Sequence, residues 1–180
     1  MFDHFRLLFE IPFRLVKIFG FPIHAEPTRE LSSSGQPDHQ WNGQSKRSIF
    51  IRHVDGGSCN AAELEISAIF NPIYDVGRYG FHLVVSPRHA DLLLLTGPLT
   101  ANMETAVLET FRAMPEPRRV VTVGDGFDED GPFQGSYAIR PLPAEILAFR
   151  VAHISGDPPS PAEMVDALLK IFPARNRPKL

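Results

Sequence analysis

The chain has 180 residues, 43% of them hydrophobic, and its 18 basic and 21 acidic side chains give a net charge of −3. That is enough for one globular domain with extensions, and it leaves no basic footprint for nucleic acid. A single cysteine, Cys59, excludes an internal disulfide framework, and the first residues carry no signal-peptide pattern, so a cytoplasmic setting is expected.

The first element, residues 1–21, carries Phe2, Phe5, Leu8, Phe9, Phe13, Val16, Ile18 and Phe19. Asp3, Arg6, Glu10, Arg14 and Lys17 interrupt it, so it falls short of the roughly 20 apolar residues that a membrane-spanning helix needs. Two readings remain: a helix kinked at Pro12 and packed on its own domain, or an arm that lies in a membrane surface or against a partner. The second is preferred. Residues 25–46 are rich in Pro, Ser, Gly, Gln, Asn and Asp and read as an extended linker. The expected division is therefore an apolar docking segment, 1–24, a linker, 25–46, and a domain, 47–180.

Within the domain, short apolar runs alternate with amphipathic ones. Residues 48–54 (SIFIRHV) predict a strand, followed by a turn at Gly56-Gly57 and a helix over 61–70 that stops before Pro72. Residues 81–85 and 91–96 predict buried strands, 100–114 a helix, 120–123 and 150–154 two more strands, and 160–172 the last helix. This order predicts an α/β fold with a mostly parallel sheet covered on both faces. Chemistry in such folds gathers beyond the carboxyl ends of the strands, which directs attention to residues 55–62, 124–133 and 155–159.

Those loops fit few catalytic templates. The run 124–131 (GDGFDEDG) looks like a calcium loop, but alignment on Gly131 puts Gly126 and Tyr137 at the first and last ligand positions, where carboxylates are required. Neither G-x-x-x-x-G-K-S/T nor G-x-G-x-x-G occurs, and Ser58 lies in no nucleophile elbow, so phosphate binding and serine hydrolysis lack support. His53, His82, His89 and His153 lie in or beside predicted strands without a metal-ligand spacing, and they read as hydrogen-bonded structural histidines. Cys59 alone reads as an inert thiol.

The stretch SIFIRHVDGGSCNAAELEI, followed by NPIYDVGRYGFHLVVSPRHADLLLLTGPLTANM, VVTVGDG, GSYAI and ISGDPPSPAEMVDALL, resembles the small subunit of energy-converting, membrane-bound nickel–iron hydrogenases and the PSST-type (NuoB-like) subunit of respiratory complex I. The likeness runs through most of residues 48–169 and implies a flavodoxin-like domain. It also implies one 4Fe-4S cluster held by four thiolates: two from C-x-x-C, one after V-G-D and one in G-C-P-P. The corresponding positions here are Cys59, Ala62, Gly126 and Asp157, so three thiolates are replaced. Alanine and glycine carry no donor atom, and Asp157 offers a hard oxygen where iron–sulfur chemistry uses soft sulfur. The cluster is expected to be absent. The frame is retained: Gly56-Gly57 at the turn, Glu63 opening a helix, Pro87-Arg88 before a strand and Pro158-Pro159 before the last helix.

The resemblance thus implies a subunit of an oxidoreductase-family membrane assembly that has no activity of its own. It is expected to join a large subunit, like that of hydrogenases or its counterpart in complex I, to ion-translocating membrane subunits, and to sit peripherally on the cytoplasmic side. A second reading keeps the assembly redox-active, with this chain lining a quinone or proton path through Glu63, Asp75 and Arg88. Those side chains are equally explained as ion pairs and helix-start carboxylates. A third reading, a free-standing flavodoxin-like binder, would need a flavin-phosphate loop that the sequence does not display.

Overall fold

The run LLLL at positions 92–95 determines the middle of the fold. Four consecutive leucines suit a strand buried on both faces, and in the computed structural model, which describes residues 48–172 except residue 129, they do so. Leu92 and Leu94 pack into one core layer, while Leu93 and Leu95 pack into the other. The proposed docking segment, 1–24, and linker, 25–46, lie outside the described residues.

Five strands form one sheet: β1 (Ile49–Asp55), β2 (Phe81–Leu83), β3 (Leu92–Thr96), β4 (Arg119–Val123) and β5 (Arg150–Ile154). Their order is β2-β1-β3-β4-β5 and every pairing is parallel, as a flavodoxin-like sheet requires. The helices are α1 (Ala61–Ile69), α2 (Glu104–Ala113), the single turn α3 (Ala144–Leu147) and α4 (Pro161–Ile171). Ile66 and Ile69 of α1 and Met164, Ala167 and Leu168 of α4 cover one face with Ile51, Val121 and Ile154. Val107 and Phe111 of α2 and Ile146 of α3 cover the other with Val54 and Val120. Buried area on two faces is the main favourable term for such a layer, at roughly 25 cal/mol per Å2 of apolar surface.

Local chemistry sets the helix ends. Ser160 caps α4 by accepting from Glu163 N–H, the Glu163 carboxylate reaches back to Ser160 N–H at 2.9 Å, and Pro161 occupies the first turn. α1 ends at Ile69 with Phe70 as its C-cap, before Pro72. α2 begins at Glu104 rather than Thr100, because Thr100 is committed elsewhere. Its N–H and Oγ1 both donate to Gly56 O, at 2.8 and 2.9 Å, and it bridges to Ile139.

β2 is shorter and less buried than its sequence suggests. It is an edge strand, with His82 and Leu83 exposed. Ile51 of β1 pairs with Leu83 on one side and with Leu92 on the other, so β2 ends at the level where β3 begins. The link from Val84 to Asp91 crosses with a single turn, Pro87–His89, and needs no helix.

Candidate functional site

Beyond Asp55, Thr96, Val123 and Ile154 the chain continues the sheet's hydrogen bonding through glycines. Gly56 N–H donates to Thr96 O at 2.9 Å, Gly97 N–H to Val123 O at 3.2 Å, and Gly124 N–H to Ile154 O at 2.9 Å. The result is a closed rim at the carboxyl edge, spanning the β1/β3 switch point where α/β folds place their sites. Gly97 adopts φ +73°, and a β-carbon there would lie 2.5–2.7 Å from Ser58 N, Cα and Cβ, so only glycine fits this close approach.

Glu63 is the hub of the polar groups on this rim. α1 places it in the first helical turn, where a carboxylate suits the positive end of the helix dipole. Ser58 Oγ donates to Glu63 Oε2 at 2.5 Å, and Thr96 Oγ1 donates to Glu63 Oε1. His53 Nε2 lies 3.1 Å from Thr96 Oγ1 and 3.6 Å from Glu63 Oε1. Since the Thr96 proton goes to Glu63, His53 Nε2–H is the donor to Thr96 Oγ1. Burial holds the His53 pKa below its ordinary range, with Arg52 adding to the effect and Glu63 and Asp55 opposing it. Asp55 Oδ1 accepts from Gly57 N–H and Ser58 N–H, both at 2.7 Å, which fixes the loop that presents Ser58.

A second polar group lies on the opposite face. His153 of β5 is buried, with Nδ1 2.8 Å from Thr122 Oγ1. Its Nε2 lies 2.9 Å from Asp128 Oδ1, an ion pair only when the imidazole is protonated. Burial lowers the His153 pKa; Arg150 adds to this, while Asp128 and Asp125 oppose it. Asp125 Oδ1 accepts from Gly156 N–H at 2.5 Å and ties the loop after β4 to the loop after β5. Asp125 and Asp128 of the calcium-like run therefore serve the fold, and no cluster of three potential metal ligands occurs among the described residues.

All four positions that the resemblance assigns to cluster ligands fall on this rim. Cys59 is exposed in the loop after β1, and Ala62 is 2% exposed in α1, packed in the core. Gly126 is half-buried in the turn Asp125–Phe127, and Asp157 is exposed after β5. The donor set is one thiol and one carboxylate, which does not match a cluster that takes four protein ligands. A β-carbon at Gly126 would also lie 2.6 Å from Pro98 N and 2.7 Å from Pro98 Cδ.

Of the residues expected to line a path, only Glu63 belongs to the rim. Asp75, exposed at φ 42°, precedes the turn Val76–Tyr79 at the opposite edge, where Gly80 O accepts from Ile49 N–H. Arg88 is exposed on the crossover between β2 and β3. The three do not meet. His82 and His89 are exposed too, with His82 beside Phe50 at 5.8 Å between ring centroids. Sequence reasoning missed the loop after β3, which supplies Gly97, Pro98 and Thr100. The Gly-Pro pair ending the leucine run was its available signal.

The family model described as NADH ubiquinone oxidoreductase, 20 Kd subunit, matches residues 59–171. The chain belongs to that family. Relatives resemble it over most of its domain. Subunit 7 of formate hydrogenlyase from Escherichia coli is 38% identical over 117 residues, 65% of this chain and 46% of that protein. A probable membrane-bound hydrogenase subunit of Pyrococcus furiosus is 34% identical over 128 residues, 68% of this chain and 73% of that protein. A chain in the structure of the membrane-bound sulfane sulfur reductase, an archaeal respiratory membrane complex, shares the fold at a TM-score of 0.57 and 22% identity, covering 71% of this chain and 70% of that one. Among the described residues of this family member, no helix is long and apolar enough to cross a membrane.

Proposed function

We propose that this chain is a cluster-free structural and coupling subunit of a complex I-like or hydrogenase-like membrane assembly. It would join a homologue of the hydrogenase large subunit, or of its complex I counterpart, to ion-translocating membrane subunits, and sit peripherally on the cytoplasmic side. The observation that carries this reading is the donor set of the rim in a member of this family: Cys59 is the one thiol across four ligand positions. The relatives named as subunits of formate hydrogenlyase and of a membrane-bound hydrogenase support a subunit role. Without a cluster, the chain's contribution is shape: a rigid sheet edge that can transmit movement between partners without passing electrons.

The test is anaerobic purification of the tagged full chain from solubilised membranes, with partner identification and assay of iron and acid-labile sulfide. Co-purification with a large-subunit homologue and integral membrane subunits is the expected result. A monomeric chain with no such partner would overturn the subunit role, and about four irons assigned to this chain would overturn its cluster-free character.

A second reading, a proton path along the rim, is favoured by one observation. Glu63 sits in a continuous hydrogen-bonded series with Ser58, Thr96 and His53. In that reading Asp75 and Arg88 act elsewhere, since neither reaches this series.

A further inference from the structure

We propose that the apolar N-terminal segment, residues 1–24, docks on a bare corner of this chain's own sheet, over Phe50 and His82, with Glu10 meeting Arg52. This is the first of the two readings of residues 1–21, packing on the chain's own domain, where the sequence alone favours the second. It is independent of the cluster-free reading.

Parallel sheets occur almost only with both faces covered. On the face that carries α2 and α3, the crossover from β2 to β3 holds a single turn, Pro87–His89, and no helix. Val107, Phe111 and Ile146 cover Leu93, Leu95 and Val120 there, whereas β1 gives only Val54 to that core layer. Side chains alternate along β1: Ile49 and Ile51 enter the layer under α1 and α4, which turns Phe50 and Arg52 to the face of Val54. Phe50 is 39% exposed, and it pairs in register with exposed His82 of β2 at 5.8 Å between ring centroids. Arg52 is half-buried, and its Nε is enclosed without a hydrogen bond among the described residues. The corner thus offers apolar ring surface beside a cation that lacks an acceptor.

Three observations select the occupant. Residues 1–47 lead into β1 at this corner, where Ile49 N–H donates to Gly80 O at 2.7 Å beside the start of β2, and Phe50 follows at once. The segment carries Phe2, Phe5, Phe9 and Phe13 with Glu10 among them. Phenylalanines suit the two exposed rings, and a carboxylate suits a guanidinium, which has N–H donors and no acceptor. The linker, residues 25–46, keeps the segment tethered at an effective concentration on the order of mM, which favours it over a separate partner of equal affinity.

The experiment places nitroxide labels at Arg6→Cys and Val85→Cys of the full chain in a Cys59→Ser background, and reads their separation by pulsed electron paramagnetic resonance. Val85, just past β2, is 88% exposed and lies outside the proposed contact. A free arm would give a broad distribution on the order of 35 Å, from ~5–6 Å times the square root of the number of residues between position 6 and β1. Docking is expected to give a narrow distribution at shorter distance. Glu10→Arg should return most of the population to the broad form, and Arg52→Glu added to Glu10→Arg should restore the narrow one.

Because Arg52→Glu can disturb β1, Glu10→Arg alone also decides the matter, and the swapped pair is read only where the domain keeps its unfolding midpoint. A broad distribution in the labelled chain without further change, or a narrow one indifferent to Glu10→Arg, would overturn the proposal. A swapped pair that folds and stays broad would do the same. So would a short distance found only between singly labelled chains, which marks a second copy as the occupant. Loss of the short distance on adding phosphatidylglycerol vesicles would overturn it in favour of a membrane surface.

Discussion

Replacing Glu63 by alanine tests whether the rim is held together by that carboxylate. The side chain is 16% exposed and accepts hydroxyl protons from Ser58 and Thr96, which belong to the β1 loop and the end of β3. Hydrogen bonds to a charged group contribute roughly 1.5–3 kcal/mol each, and residual water access on this rim reduces the sum, so Glu63→Ala is expected to cost about 3 kcal/mol. Glu63→Gln preserves shape and one acceptor oxygen but turns an amide donor toward a hydroxyl, so its cost should be smaller, about 1–2 kcal/mol. Urea unfolding of the full chain followed by circular dichroism reads both, as a lower midpoint at unchanged slope. Combining Glu63→Ala with Thr96→Val should give a coupling of about 1 kcal/mol or more, as expected for two residues in one network. A loss below about 0.5 kcal/mol for Glu63→Ala, the range of an ordinary surface substitution, would refute the argument.

Acidification should weaken the domain through His53 and His153, whose pKa values burial holds below the ordinary one. Below an unfolded-state value of about 6.5 the unfolded chain binds more protons than the native one. Stability is thus full above that value and is lost as pH falls toward the depressed native values. A pH series of unfolding free energies checks this, and the double variant His53→Gln/His153→Gln should show a flatter dependence over the same window. In the core, Phe111 is fully buried, meets Phe149 edge-on at 5.4 Å and lies under the Arg118 guanidinium at 4.1 Å. Phe111→Ala should cost about 3–5 kcal/mol by chemical denaturation, while Leu64→Ala, at a side chain left 63% exposed, should stay within about 0.5 kcal/mol.

Elements whose signals are local were legible in the sequence. Ser160, Pro161 and Glu163 mark the start of α4 within four consecutive positions, and the leucine run of β3 declares burial on both sides. The parts that went astray depend on partners distant in sequence. α2 starts late because Thr100 is held by Gly56, and β2 stops at Leu83, which pairs with Ile51 at the level where β3 begins. The same distinction governs the site. Glu63 was visible as a helix-start carboxylate, but its partners Ser58, Thr96 and His53 come from β1, its loop and β3, and no spacing rule joins them. Asp75 and Arg88 lie on other loops than Glu63, and the sequence could not show this, because charge in loops carries no information about which edge of the sheet each loop occupies.

The construction of the rim also accounts for how ligand positions can change while the fold stays the same. Three of its joins, Gly56 to Thr96, Gly97 to Val123 and Gly124 to Ile154, are main-chain hydrogen bonds that continue the strand ladder and depend on no side chain at positions 59, 62, 126 or 157. The side chains that reinforce them are Asp55, Glu63, Thr100 and Asp125, again outside those four positions. A substitution at one of these positions therefore leaves the three main-chain joins of the rim in place. The fold has one interior, held by two apolar layers, and a separate edge held by peptide groups and carboxylates. Side chains at positions 59, 126 and 157 are thus uncoupled from the packing of the layers, so that a change there leaves the interior of the fold as it is.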